Sequence, residues 1–200
     1  MDIYFIRHGE SLGNVEKRIQ DFSEPLTNKG KKYTRILKEK LDKIDFDLIF
    51  SSDMVRCLET TDILFKDKDI PIIYSKTLGE KNNGDFEGQK IDEIDWAEVN
   101  SKPFVERRIP NGETLLELKK RADDFLYLLS KLNLNKIAIV SHGSIIRMFL
   151  ISILNKDIED FLLKYKLANC GVSKIRCVDG KFKVVYFEDD SQGKVKFKSD

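Results

Sequence analysis

Three short apolar runs, each followed by a polar junction and then by a helical pattern, constrain the fold of this chain more than any other feature. They are Ile3–Ile6, Phe46–Phe50 and Ile137–Val140. Short continuous apolar runs are typical of strands in a buried sheet. Strands that alternate with helices predict a parallel sheet that is covered on both faces. We therefore expect the α/β class, with three α/β/α layers and a mostly parallel central sheet flanked by helices.

The helices between these runs are predicted from capping residues and apolar spacing. Thr27 is suited to cap a helix that begins at about Asn28, after a polar loop. A second helix is expected from about Met54 to Phe65. Apolar residues at helical spacing mark the faces expected to pack on the core. These are Tyr33, Ile36, Leu37 and Leu41 in the first helix, and Leu115, Leu118, Ala122, Phe125, Leu126 and Leu129 in a later one.

Turn residues set the edges of the predicted sheet. Ile70–Tyr74 is expected to be an edge strand, because Pro71 cannot donate a hydrogen bond to a neighbouring strand. Near the end of the chain, Val172–Val178 and Lys181–Phe187 flank Asp179-Gly180, a strong two-residue turn signal. The sequence therefore predicts a C-terminal hairpin.

The regular pattern weakens over residues 75–112, where glycines, prolines and the sole tryptophan, Trp96, are found. An irregular stretch of this length is more often functional than accidental. We expect it to form an inserted lobe that covers the active site, within a single domain of residues 1–200. Residues 188–200 are predicted to be a polar tail, with one exposed strand at Val195–Phe197 as the alternative.

Composition narrows the class of partner. The chain has 35 Lys and Arg against 34 Asp and Glu, a formal net charge of +1. Nucleic-acid and membrane-surface binders usually carry a basic excess, so neither partner is expected. No run approaches the roughly 20 apolar residues of a membrane span. Three widely spaced cysteines fit reduced thiols, so a cytoplasmic location is expected. The sequence does not predict the oligomeric state.

Both histidines of the chain follow predicted strands. His8 follows the first strand and His142 follows Ile137–Val140, each directly before a glycine. Loops at the carboxyl ends of parallel strands form the ligand sites of such sheets. With Arg7 and Arg56 at the same kind of junction, these residues predict an anion site. Like charge keeps a histidine among arginines neutral, and a neutral imidazole can attack phosphorus.

The order of these motifs resembles that of the histidine phosphatase superfamily, also called the phosphoglycerate mutase-like family. Arg7-His8-Gly9-Glu10 after an N-terminal strand resembles its signature. Further matching segments follow in the same order over about residues 3 to 147. They are Pro25-Leu26-Thr27, Ser51-Ser52-Asp53 with Arg56, Leu78-Gly79-Glu80, Pro110-Asn111-Gly112-Glu113-Thr114 and Val140-Ser141-His142-Gly143.

The resemblance implies a role for each matching residue. His8 would be the nucleophile, and Glu80 would protonate the leaving oxygen and later activate water. Arg7, Arg56 and His142 would bind the phosphate, with His142 protonated. Asn14 and Ser11 would contact the phosphate or a neighbouring oxygen. Arginines and a histidine would supply the positive charge, so no metal and no cofactor are expected.

Three residues are weaker candidates for substrate binding. Ser144 follows the second His-Gly pair. Arg107 and Arg108 are adjacent cations that would suit a second anionic group of the substrate. A solvated pair of loop arginines is the alternative for these two residues.

The family contains phosphatases and mutases, and both begin from a phosphohistidine. Mutases of this type commonly carry Trp, Asn and Tyr where this chain has Gly13, Ser144 and Asn83. These departures favour a phosphatase that acts on a small phosphorylated metabolite. The alternatives are a mutase, which would use 2,3-bisphosphoglycerate, and a non-catalytic domain that binds a phosphorylated ligand. The sequence leaves the substrate open among sugar phosphates, phosphoglycerate, nucleotides and a ribazole phosphate, and a broad-specificity enzyme is a further alternative.

Overall fold

A central β-sheet organises the protein, whose computed structural model describes residues 1–189 and 194–195. Six strands lie in the order β3-β2-β4-β1-β5-β6, and the two-residue β7 extends the edge at β6. The first four strands in this order are parallel, whereas β5, β6 and β7 join antiparallel. The predicted α/β class is therefore confirmed. The strands are β1 (Asp2–Arg7), β2 (Leu48–Ser51), β3 (Ile72–Tyr74), β4 (Lys136–Ser141), β5 (Val172–Val178), β6 (Lys181–Asp189) and β7 (Lys194–Val195).

The described helices begin close to the predicted caps. Thr27 Oγ1 accepts a hydrogen bond from the Gly30 amide, as expected for the residue that precedes a helix. One short helix, α1, lies within the segment predicted to be a polar loop. Its five residues are too few to show a helical period in the sequence. The helices are α1 (Leu12–Glu16), α2 (Asn28–Leu41), α3 (Val55–Phe65), α4 (Ala97–Asn100), α5 (Leu115–Leu129), α6 (Gly143–Leu154) and α7 (Ile158–Lys164).

Alternation along the central strands builds the predicted three layers. In β1, Ile3 and Phe5 face one apolar cluster, which α5 and α6 complete. Tyr4 and Ile6 face the opposite cluster, which includes residues of α2 and α3. Successive side chains of a strand point to opposite faces, so a strand between two helical layers must be apolar throughout. This requirement explains the unbroken apolar runs Ile3–Ile6 and Ile137–Val140.

The predicted buried face is confirmed in α5 but only in part in α2, the two longest helices. All six predicted core residues of α5 are buried. In α2 the prediction was wrong for Tyr33 and Ile36, which are 50% and 41% exposed. The buried face of α2 instead contains Gly30 and Thr34 together with Leu37 and Leu41. The small residues allow the loop after β1 to lie directly on this helix.

The C-terminal hairpin is present as predicted. Asp179 and Gly180 have φ values of 50° and 74°, the left-handed conformation that a tight two-residue turn requires. In the predicted polar tail, β7 pairs with the end of β6. The rest of the tail lies outside the described residues. Among the helices described, none is long and apolar enough to cross a bilayer.

Residues 75–112 form the irregular segment between β3 and α5. Its two ends are joined where the Asp85 amide donates to Pro110 O and the Glu113 amide donates to Asn82 O. On its other side the segment pairs with the chain after α1, since the Ile19 amide donates to Gln89 O and the Gly88 amide to Ile19 O. The chain after α1 and this segment therefore form one connected structure.

Candidate active site

The two histidines lie side by side, although they are far apart in the sequence. Arg7 of β1 is in register with Ser141 of β4, so the residues that follow, His8 and His142, leave neighbouring strand ends. Their ring centroids are 5.2 Å apart, at an interplanar angle of 61°. Both side chains are buried, with exposures of 1% and 0%. The sheet register therefore creates the pair that the strand-end argument requires.

The hydrogen bond of His8 fixes which ring nitrogen carries the proton. Nδ1 lies 2.7 Å from Gly9 O. A carbonyl oxygen only accepts, so Nδ1 is the donor and Nε2 keeps its lone pair. Burial lowers the pKa of His8 well below its usual value, and the charges of Arg7 and Arg56 lower it further. His8 is therefore a neutral imidazole with a lone pair on Nε2, the form needed in a nucleophile.

Hydrogen bonds from distant residues hold the His8 loop in place. The Gly9 amide donates to Thr60 Oγ1 at 3.1 Å. Asn169 Nδ2 donates to His8 O at 3.1 Å and lies 3.3 Å from Gly9 O. Asn169 was missed in the sequence because it lies in an irregular stretch between α7 and β5 with no motif around it. Its contribution depends on tertiary contacts alone.

His142 accepts a hydrogen bond from an arginine. Arg56 Nε lies 3.2 Å from His142 Nδ1, and His142 Nε2 lies 2.8 Å from Ser52 Oγ. A guanidinium only donates, so Nδ1 holds a lone pair and the proton is on Nε2. Burial lowers the pKa of His142 well below its usual value, with Arg56 as the next cause. His142 is therefore neutral in this arrangement, and its protonation when it binds a phosphate stays a prediction.

The two predicted phosphate arginines converge on this pair. Arg56 is fully buried, and its Nη1 donates to Asp21 O at 2.7 Å. Arg7 Nη1 donates to Leu167 O. A Cβ added at Gly143 would lie 3.4 Å from Arg7 Nε, so glycine allows Arg7 to lie close to the start of α6. The charges of both arginines act on both imidazoles.

The predicted contacts Ser11 and Asn14 form a small network beside the His8 loop. The Ser11 hydroxyl is buried and donates to Gln20 Oε1 at 2.6 Å. Asn14 Oδ1 accepts from the Ser11 amide and from Asn169 Nδ2, each at 3.1 Å. The Ser11 hydroxyl also lies 3.0 Å from Asn14 Oδ1. The contact of Ser11 and Asn14 with a phosphate stays a prediction.

Glu80 reaches the histidines through the first turn of α6. Its carboxylate accepts the Ser144 amide at 3.0 Å and the Lys81 amide at 3.0 Å. Ser144 is two residues beyond His142, and a helix N-terminus favours a negative charge. Arg121 fixes the backbone around Glu80 by donating to Thr77 O, Gly79 O and Glu80 O. Arg121 was not predicted, because no motif marks it in the sequence. Ser144 contributes here through its amide.

The structure does not bring Arg107 and Arg108 to this site. Arg108 is exposed, donates to Gly112 O at 2.8 Å and forms an ion pair with Glu117 at the start of α5. Arg107 donates to Lys102 O at 3.2 Å, and its guanidinium lies over the Phe104 ring. Both side chains have partners within the protein, which fits a solvated loop pair better than a clamp for a second anion.

An open cleft of about 500 Å³ is lined in part by Glu80. Met54 also lines it and lies 3.4 Å from Arg56 Nη2, so the cleft adjoins the arginine that bonds His142. In the described part of the chain, no three His, Cys, Asp or Glu side chains are grouped as metal ligands. The residues that line the cleft are Phe22, Asp53, Met54, Lys76, Gly79, Glu80, Asn82, Glu87, Glu113 and Arg121.

Several known proteins are similar to this chain in sequence or in fold. The chain is 30% identical over 182 residues to the probable phosphoglycerate mutase GpmB of Shigella boydii, covering 88% of this chain and 84% of the relative. The structure of Bacillus stearothermophilus YhfR superimposes with a TM-score of 0.85, at 25% identity and 98% coverage of both chains. The α-ribazole phosphatase of Shigella flexneri gives a TM-score of 0.82, at 22% identity, covering 92% of this chain and 94% of that one.

A family model completes the comparison. The model of the histidine phosphatase superfamily, branch 1, matches residues 3–190. This range contains both histidines, both arginines of the site and Glu80. The chain therefore belongs to branch 1 of the histidine phosphatase superfamily.

Proposed function

We propose that this protein is a phosphatase that hydrolyses small phosphomonoesters, without a metal, through a phosphohistidine on His8. The observation that carries the proposal is the state of the His8 ring. Its Nδ1 donates to Gly9 O, which leaves a lone pair on Nε2, and the ring lies beside His142. The positive charges of Arg7 and Arg56 lower the pKa of this ring further. A fixed, neutral imidazole is already in the form that attacks phosphorus.

The first chemical step transfers the phosphoryl group to the protein. The Nε2 lone pair forms a bond to phosphorus as the ester P–O bond breaks. Glu80, in its protonated form, donates its proton to the departing alkoxide oxygen. Arg7 and Arg56 stabilise the negative charge on the oxygens of the transferring group, and this electrostatic contribution is usually the largest in phosphoryl transfer.

The second step returns the enzyme to its starting form. The Glu80 carboxylate accepts a proton from a water molecule, whose oxygen attacks phosphorus. The N–P bond breaks, its electron pair returns to Nε2, and inorganic phosphate is released. Glu80 is protonated again at the end of the cycle. The open cleft beside Glu80 gives water a route to this step.

A labelling experiment tests the proposal. Incubation with a phosphomonoester labelled in its phosphoryl group should leave a label that is acid-labile, base-stable and located on His8. The His8→Ala variant should take up no label and release no phosphate, and EDTA should leave the wild-type rate unchanged. Turnover by His8→Ala at the wild-type rate would contradict the mechanism. Binding of inorganic phosphate by calorimetry, without hydrolysis of any ester, would favour a non-catalytic binding domain.

A phosphoglycerate mutase is the second candidate, because curated relatives at 30% identity carry that name. A mutase returns the phosphoryl group to the substrate instead of releasing it to water. The two reactions separate when 3-phosphoglycerate is incubated with and without 2,3-bisphosphoglycerate. Phosphate release in both samples supports the phosphatase. Isomerisation to 2-phosphoglycerate that depends on the bisphosphate supports the mutase.

A further inference from the structure

The cleft that Glu80 lines has a distinctive charge pattern. Besides Glu80 it is lined by three carboxylates, from Asp53, Glu87 and Glu113, and by two cations, from Lys76 and Arg121. In the proposed reaction, the phosphate lies at the buried histidine end. The alcohol portion of the substrate must therefore extend into this cleft, and the charges that remain unpaired there will select it.

One cation and one carboxylate of the cleft neutralise each other. Arg121 Nη2 forms an ion pair with Glu113 Oε1, 2.6 Å apart. Arg121 Nη1 donates to Thr77 O and Gly79 O, both at 2.8 Å. A substrate anion could recruit Arg121 only by breaking these bonds, which would leave Glu113 unpaired. Arg121 is therefore part of the wall and is not an anion-binding group.

Asp53 and Glu87 remain without a cationic partner among the described residues. Both side chains are half-buried. Glu87 Oε1 accepts the Asn83 amide at 3.2 Å, which leaves its second oxygen available. Partly desolvated carboxylates favour a nearby positive charge. Arg107 and Arg108 do not supply this positive charge, because Arg107 donates to Lys102 O and Arg108 forms an ion pair with Glu117.

We infer that the physiological substrate carries a primary ammonium group on its alcohol portion, which Asp53 and Glu87 bind. This inference rests on the proposed phosphatase function and names the substrate class. Phe22, which is 51% exposed and lines the same cleft, presents an aromatic ring to such a cation. The exposed Lys76 is the cation of the cleft that is free to meet a carboxylate. Phosphorylated amino alcohols and hydroxy amino acids fit this pattern.

The same pattern selects against substrates whose alcohol portion is only anionic. A glycerate group would bring a carboxylate toward Asp53 and Glu87. Among the described residues that line the cleft, Lys76 is the cation without an ion-pair partner. Like charges repel each other, and in an open cleft the repulsion is moderate. The charges that line the cleft therefore favour an amine over a hydroxyl in the alcohol portion of the substrate.

Two pairs of substrates isolate this preference. O-phosphoserine and 3-phosphoglycerate differ only in an ammonium against a hydroxyl on the central carbon. Phosphoethanolamine and 2-hydroxyethyl phosphate differ in the same way and lack the carboxylate. We expect kcat/KM to be at least about fivefold higher for the amine of each pair, with the difference mainly in KM, as one or two partly exposed ion pairs provide.

Neutral variants then assign the preference to these residues. In the Asp53→Asn and Glu87→Gln variants, the ratio of kcat/KM for the amine to kcat/KM for the hydroxyl compound should fall toward one. The kcat for a phosphate ester with an uncharged aryl group should be retained. Asp62→Asn, an exposed position on α3, is the matched control and should keep the wild-type ratio. A global structural defect would lower kcat/KM equally for both substrates of a pair. A change in the ratio therefore reports a change in specificity and not a loss of folded protein.

The outcomes distinguish this inference from the proposed function. Hydrolysis of all four esters with a ratio of one or below overturns the ammonium inference and leaves the phosphatase standing. Hydrolysis of none contradicts the phosphatase. In that case calorimetric binding of the same pairs still decides the inference, because tighter binding of the amine supports it and equal or weaker binding overturns it.

Discussion

Arg56 Nε donates a hydrogen bond to His142 Nδ1 over 3.2 Å, within a fully buried pair. The guanidinium has no lone pair, so this bond requires a neutral imidazole. The same guanidinium donates to Asp21 O. Arg56 therefore links the second histidine to the segment after α1 and holds His142 in its uncharged form. Two neutral histidines in a buried site make the protein sensitive to protonation.

We expect the free protein to lose stability as the pH falls below about 6.5. Burial lowers the pKa of both His8 and His142 well below 6.5 in the folded state. In the unfolded chain both titrate near that value, so below it the unfolded state binds more protons. The free energy of unfolding should then fall by up to about 1.4 kcal/mol per pH unit for each histidine.

Urea unfolding between pH 7.5 and 5.5 measures this slope. The window lies above the range in which carboxylates such as Asp2 titrate, since the pKa of Asp2 is lowered to about 2. His142→Gln should reduce the slope by about half, because one of the two groups is removed. A free energy of unfolding that stays constant over this window would contradict the neutral assignment.

Binding of a dianion should draw a proton into the site. A doubly negative ligand near His142 favours the charged imidazole and so raises its pKa. Sulfate is a suitable probe because it carries no titratable proton near neutral pH. Calorimetric titration at pH 7.5, in buffers of different ionisation enthalpy, should show uptake approaching one proton per sulfate bound. The His142→Gln variant should show none, and an equal uptake by this variant would assign the proton elsewhere.

The pairing of the histidines was predictable because it depends on strand order and register. Parallel strands bring their carboxyl ends to one edge, and both histidines follow apolar runs that the sequence displays. Polar contacts within the site were not predictable in this way. The bond from Asn169 to the His8 loop and the bond from Arg56 to His142 join residues that are remote in sequence, and neither leaves a periodic trace.

The same distinction explains the wrong prediction for the α2 face and the observed placement of two arginines. Tyr33 and Ile36 fit the helical period of α2, but the buried face of that helix is set by the loop that crosses it at Gly30 and Thr34. Arg107 and Arg108 have the charges of a substrate clamp, yet Glu117 and the Phe104 ring hold them elsewhere. The spacing of residues in the sequence predicts which of them share a helix face. Tertiary packing determines which face is buried and which partners its side chains contact.

Substitution of Glu80 should affect substrates according to their leaving groups. Glu80→Gln keeps an oxygen that can accept the Ser144 amide but cannot donate a carboxyl proton. We expect kcat/KM for an alkyl phosphate to fall by about 10²- to 10⁴-fold, the usual contribution of a general acid. The loss should be much smaller for p-nitrophenyl phosphate, whose phenolate leaves without a proton.

A matched control is available in the same lobe. Glu93 is exposed and forms an ion pair with Lys90, so Glu93→Gln should leave both rates near wild type. If Glu80→Gln slows the alkyl and the nitrophenyl ester by the same factor, Glu80 is not the acid in the first step.

Gly30 in α2 should resist replacement by alanine, against the usual preference of helices. Alanine at an interior helical glycine normally adds about 0.5–1 kcal/mol of stability. Here an added Cβ would lie 2.1 Å from Glu10 O, a backbone atom in the loop that carries His8. The loop must move, so we expect Gly30→Ala to lower the free energy of unfolding by about 1–3 kcal/mol. Phosphatase activity should fall as well, because His8 is displaced.

Lys32→Ala, at an exposed position of the same helix, controls for helix propensity and should be nearly neutral in both measurements. Urea unfolding and steady-state rates provide the comparison, and a Gly30→Ala protein as stable as the wild type would show that the loop does not rest on α2 as described.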